Sequence, residues 1–127
     1  MAKASKPEVQ ITWLPEPEEQ DYPAAASYLG LLFDDSTVND LVDKLKSAPV
    51  QQFKAKDIFR ASRLSLLGVS NFHVERDRKK VKKQVPLSPL LLVRDPRDLT
   101  LIIADGYHRL CAVYSFNEDL SIPCKIV

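Results

Sequence analysis

The sequence predicts a single α+β domain, on three observations. Two apolar runs of strand length, Leu90–Val93 and Leu99–Ala104, flank the turn-forming stretch Arg94-Asp95-Pro96-Arg97-Asp98 and read as a hairpin. Helical segments alternate with strands irregularly, unlike the regular strand-helix alternation of a doubly wound sheet. The chain has 127 residues, 45% of them hydrophobic, enough for one core without disulfides or metal.

Each element has its own signal. Val9, Ile11 and Trp13 alternate with Gln10 and Thr12, a short strand with one buried face. The Pro/Glu-rich stretch from Pro15 to Pro23 cannot continue a sheet and reads as an exposed connection. Residues 1–23 thus form an N-terminal strand and connection ahead of the domain at 24–127. A first helix is expected over Ala24–Phe33, with Pro23 near its start, where the missing N–H does no harm. Ser36 or Thr37 is expected to cap a second helix, with Asp40 three residues after Thr37 in a capping-box arrangement. Val38, Leu41, Val42 and Leu45 share one face of it, and Pro49 lies just past its end. Val50–Ala55 reads as a strand. Lys56–Leu67 fits no single period and reads as a turn and a short helix. Glu75–Gln84 is a charged helix, Tyr107–Phe116 a helix with Leu110, Val113 and Tyr114 towards a sheet, and Ile122–Val127 a last strand.

Composition excludes several classes of function. Eighteen basic residues face 17 acidic ones, a net charge of +1, so nothing global marks a nucleic-acid or membrane binder. The N-terminal MAKASKPEVQ lacks the apolar stretch of a secretory signal, and no run reaches the length of a membrane span. The expected location is the cytoplasm, with Cys111 and Cys124 as reduced, buried thiols. His73, His108 and two isolated cysteines make no recognised metal-ligand set.

The turn Asp105-Gly106-Tyr107-His108-Arg109 joins an apolar strand to a helix, and there the chemistry converges. The first turn of a helix carries backbone N–H groups without internal partners and a partial positive charge. Gly106 lets a ligand approach the backbone, and His108 and Arg109 add side-chain donors, the guanidinium able to grip two phosphate oxygens at once. Such a turn is suited to an anion. The plainer account makes Asp105 the helix cap and Gly106 a sharp turn, with His108 and Arg109 in solvent. In a catalytic role Asp105 acts as a base or helps hold Mg2+.

From Leu87 to Val127 the chain resembles the ParB/sulfiredoxin superfamily. The resemblance rests on Pro-Leu-Leu-Leu-Val, on Ile-Ile-Ala-Asp-Gly-Tyr-His-Arg-Leu-Cys-Ala and on Ile-Pro-Cys-Lys-Ile-Val. ParB proteins carry a Gly-x-Arg-Arg turn, sulfiredoxins Gly-Cys-His-Arg and the ParB-fold serine kinases Asp-Gly-His-His-Arg. Gly106, His108, Arg109 and Ala112 are the positions shared with some or all of these, and the motif is similar to that of a bacterial branch with Asp-Gly-Tyr-His-Arg. The resemblance implies a mixed sheet with flanking helices and a nucleotide phosphate over the turn, held by Gly106, Tyr107, His108 and Arg109. It implies ATP or CTP with Mg2+ as the cofactor, and either phosphoryl hydrolysis or transfer or a non-catalytic adaptor. Sulfiredoxin activity is not expected, because Tyr107 stands where the required cysteine would be, and a phenol cannot replace a thiolate nucleophile.

Arg76, Arg78, Lys79, Lys80, Lys82 and Lys83 put six positive charges into eight residues. They read as a solvated helix face, as a source of one phosphate-binding lysine among Lys79, Lys80, Lys82 and Lys83, or as a nucleic-acid patch. Aromatic residues do not interleave with them, so a single-strand stacking surface is not indicated. Trp13 and the Tyr22–Tyr28 region are expected in the core, with the lining of a pocket over the turn as the alternative.

Overall fold

The computed structural model describes residues 9–68 and 71–127. The polar stretch 1–8 lies outside the described residues. The elements run α1 (Asp21–Leu29), α2 (Asp35–Ser47), β1 (Gln51–Lys54), α3 (Ala55–Ser62), α4 (Phe72–Lys82), β2 (Leu90–Asp95), β3 (Thr100–Asp105), α5 (Tyr107–Phe116) and β4 (Ser121–Ile126). Together they make one α+β domain.

The four strands form one mixed sheet in the order β1-β4-β2-β3. β2 and β3 pair antiparallel as the expected hairpin, β1 and β4 pair antiparallel, and β2 runs parallel to β4. The unbroken apolar run Leu90–Val93 has a simple cause: β2 is central and covered on both faces. Leu90 and Leu92 point into a cluster with Ile58 of α3, Val81 of α4 and Leu110 and Val113 of α5. Leu91 and Val93 point the other way, against Tyr22, Ala25 and Leu29 of α1 and Val38 and Leu45 of α2. Each fully buried leucine contributes roughly 1.5–3 kcal/mol, and these two layers hold the sheet between them.

Several elements differ from expectation in their bounds. α1 begins at Asp21, before Pro23, because the first turn of a helix has no internal acceptor for its N–H groups and tolerates proline. It stops at Leu29, and Gly30 N–H closes it on Ala26 O. The cap of α2 is Asp34, not Ser36 or Thr37: its carboxylate accepts from Thr37 N at 2.8 Å. Four successive residues there have capping side chains, and the register that buries Val38 and Leu45 selects the first. Asp40 forms no capping box and pairs with Lys44 at 2.9 Å.

The predicted strand at Val9–Trp13 reduces to one parallel bridge, Trp13 to Leu87, with Leu14 N donating to Leu87 O at 2.8 Å. Pro15 and Pro86 stand beside it and prevent a longer ladder. The following connection is not wholly exposed. Buried Lys125 donates to Lys46 O at 3.0 Å and pairs with Glu16 at 3.1 Å, fastening that segment to the sheet. Cys111 and Cys124 are free and buried, and burial pushes the Cys124 thiol up to about 12. No helix among the described residues is long and apolar enough to cross a membrane.

Candidate functional site

The apolar strand β3 ends at Asp105, and Gly106 turns the chain into α5. Gly106 has φ +107°, a conformation that L side chains rarely adopt, and a Cβ there would meet Leu90 Cγ at 2.7 Å. Glycine is therefore required both by backbone geometry and by the close packing of the turn on β2. Gly106 is itself the cap of α5, with no side chain bonded to the first turn. Asp105 does not take that role. The first intrahelical bond is Leu110 N to Gly106 O at 2.9 Å, which leaves the N–H groups of Tyr107, His108 and Arg109 without helical partners.

This helix end opens on a cleft of about 340 Å³, within the size range of small-molecule sites. Four parts of the chain converge there: the start of α1 with Glu18 and Asp21, one face of α4 with Arg76, Asp77 and Lys80, the segment Pro86–Ser88, and the turn with Asp105, Gly106, His108 and Arg109. The walls are strongly polar. A larger groove of about 530 Å³ lies at the hairpin end of the sheet, but Phe53, Ile58, Leu92, Leu101 and Ile126 make its floor apolar, and it gathers no comparable set of donors.

Within the cleft, Arg109 Nη2 donates to Asp105 at 2.8 Å, and Arg109 Nε is buried without a hydrogen-bond partner. Burial raises the Asp105 carboxyl above its usual range, against the opposing pull of Arg109. The His108 imidazole is lowered, first by burial and then by His73, whose ring centroid lies 4.7 Å away. His108 is therefore neutral near pH 7. Asp21 accepts on one carboxylate oxygen, Oδ2, from Glu18 N at 3.0 Å and from the Ser88 hydroxyl. Asp77 is 3% exposed, and no hydrogen bond or ion pair reaches its carboxylate from any described residue.

Of the residues expected at the site, Asp105, Gly106, His108, Arg109 and Lys80 line the cleft together. The Tyr107 phenol points elsewhere and donates to Ser65 O, so only its backbone belongs to the helix end. Lys79, Lys82 and Lys83 are exposed and do not line the cleft. Trp13 packs against the core, and Tyr22 is buried between α1 and the sheet. Arg76, Asp77, Asp21 and Ser88 escape the sequence reading as site residues. Asp77 alone leaves a trace: it sits between Val74 and Val81 on the buried stripe of an otherwise charged helix.

No group of three or more potential metal-binding side chains occurs among the described residues. No family model, curated protein or solved structure matches the chain.

Proposed function

We propose that this protein binds a nucleotide or another phosphate-bearing ligand at the Gly106–Arg109 turn, as a ParB/sulfiredoxin-like domain. One observation carries the reading: the uncapped first turn of α5 opens on a polar cleft that Arg109, His108, Arg76 and Lys80 also line. An oxyanion satisfies backbone N–H groups, helix dipole and guanidinium together. His108, neutral while the cleft is empty, becomes a second cationic donor once an anion stabilises its protonated form. Arg109, His108, Lys80 and Arg76 are the side chains that hold the phosphates of ATP or CTP with Mg2+.

A run of rings favours a nucleotide over simple phosphate. Phe72, 73% exposed, stands edge-on to His73, which lies against His108 of the cleft wall. That aromatic surface beside the cleft suits a planar base. The nucleotide supplies an activated phosphoryl group, making the catalytic form of this reading a nucleotide-dependent hydrolase or phosphotransferase. Its non-catalytic form is a binding module. Sulfiredoxin chemistry is not part of the proposal, because Cys111 is buried and burial raises its thiol. The exposed Lys79, Lys82 and Lys83 support a second reading, a nucleic-acid surface on α4. The cytoplasm is the proposed location.

A thermal-shift screen with ATP, ADP, CTP and GTP, with and without Mg2+, tests the first reading. Mass action gives about 2.7 kcal/mol of stabilisation at a hundredfold excess over Kd. We expect a shift that Arg109→Ala abolishes, and product release then separates enzyme from module. No shift with any nucleotide, together with salt-sensitive DNA or RNA binding lost on charge reversal of Lys79, Lys82 and Lys83, overturns it in favour of the second.

A further inference from the structure

The cleft holds more than an anion site requires. Beside Arg76, Lys80, His108 and Arg109 it carries four carboxylates: Glu18, Asp21, Asp77 and Asp105. Three are accounted for within the protein. Asp105 holds Arg109, Asp21 takes the Glu18 amide and the Ser88 hydroxyl, and Glu18 accepts from the Gln20 side chain at 2.8 Å. Asp77 is different. It is the most deeply buried of the four, lies on the stripe of α4 that otherwise carries Val74 and Val81, and receives no donor from any described residue. Its oxygens open on the cleft, where only solvent can satisfy them until a ligand displaces it. Its acceptor capacity faces the cleft, which Arg76, Lys80, His108 and Arg109 also line.

We propose that Asp77 reads the ligand: it accepts a hydrogen bond from a hydroxyl or ammonium group that the ligand carries beside its phosphate. This rests on the phosphate reading above and narrows it. The cleft then takes a phosphate monoester that also carries such a donor, and discriminates against one that lacks it. The cationic side and the helix end hold the phosphate, while Asp77, on the α4 wall, takes the ligand's donor in place of solvent. A site built to accept a donor rejects the analogue without it strongly, because the buried acceptor is then left unpaired.

Three near-isosteric probes test this: ethyl phosphate, 2-hydroxyethyl phosphate and 2-aminoethyl phosphate, titrated by calorimetry without divalent metal. The unaltered protein is expected to bind at least one donor-bearing ester about 10-fold to 100-fold more tightly than ethyl phosphate, as a charge-assisted hydrogen bond predicts. The ammonium and hydroxyl arms show which donor it prefers. Asp77→Leu, which has no acceptor, is expected to bind ethyl phosphate at least as tightly as the parent, since a negative charge leaves the cleft, while losing most of that preference, with a urea midpoint to show that it folds. Equal binding of all three esters by the unaltered protein overturns the proposal and leaves the phosphate reading standing, whatever the variant does. A preference that survives in folded Asp77→Leu overturns it too, as does one that appears only when Mg2+ is added. Failure of all three esters and of the nucleotides to bind removes the phosphate reading itself.

Discussion

Replacing Gly106 by alanine strikes the turn where backbone strain and packing coincide. A residue with a Cβ is rarely found at φ +107°, and holding it there costs roughly 1–3 kcal/mol. The new Cβ also falls 2.7 Å from Leu90 Cγ and 3.0 Å from Leu90 Cδ1. Leu90 is fully buried in the central strand, so it cannot swing away freely, and such overpacking costs a further ~1–3 kcal/mol. Reduced freedom of the unfolded chain returns about 0.4–1 kcal/mol. The net expectation is a loss of about 1–5.6 kcal/mol, a substantial share of the ~5–15 kcal/mol that holds an ordinary domain folded. Urea unfolding followed by Trp13 fluorescence and by far-UV circular dichroism reads it directly, since the one tryptophan packs against the core. Because the same Cβ lies 3.0 Å from Arg109 Nη2, phosphate binding at a temperature where the variant is folded should weaken as well. A variant within about 0.5 kcal/mol of the parent would refute the claim that the turn needs glycine.

Other expectations follow from the same geometry. Asp105→Asn removes a negative charge from the cleft and frees Arg109, so phosphate or nucleotide should bind about threefold to tenfold more tightly; weaker binding measured by calorimetry contradicts this. Burial and His73 depress the His108 imidazole below its ordinary value of 6.5. The unfolded chain therefore binds the proton more readily, and the stability due to neutral His108 is present above pH 6.5 and lost as pH falls through its folded value. Urea midpoints should decline across that window less in His108→Gln than in the parent. Sulfate, which does not titrate there, should bind more tightly as pH falls and lose that dependence in the same variant. Leu99 holds φ +58° with its side chain 84% exposed, so Leu99→Asn should stabilise by about 0.5–1 kcal/mol; a lower thermal midpoint would show that the leucine side chain contributes to the fold.

How much of this was legible in the sequence depends on how local each feature is. The bounds of α5 could be read residue for residue, because Gly106 marks its start and the apolar period runs unbroken through Leu110 and Val113. The hairpin was equally clear, since two apolar runs bracket residues that only a turn accommodates. The cap of α2 was not, because Asp34, Asp35, Ser36 and Thr37 all have capping chemistry and tertiary burial chooses among them. The site divides the same way. Gly106, His108 and Arg109 lie in one turn and announce themselves, whereas Asp21, Arg76, Asp77 and Ser88 reach the cleft only through the packing of α1 and α4 against the sheet. The basic run misled through its number: of its four lysines only Lys80 lines the cleft, since a helix spreads successive charges around its circumference.

The central claim is that the start of α5 receives the phosphate. Amide nitrogen–proton NMR spectra, recorded while a nucleotide or phosphate ester is titrated in, report on those backbone groups one by one. The largest saturable shifts are expected at Tyr107, His108 and Arg109, with the Arg109 Nε–H signal moving alongside them. Saturable binding that leaves these three amides unmoved and shifts residues elsewhere would contradict the account.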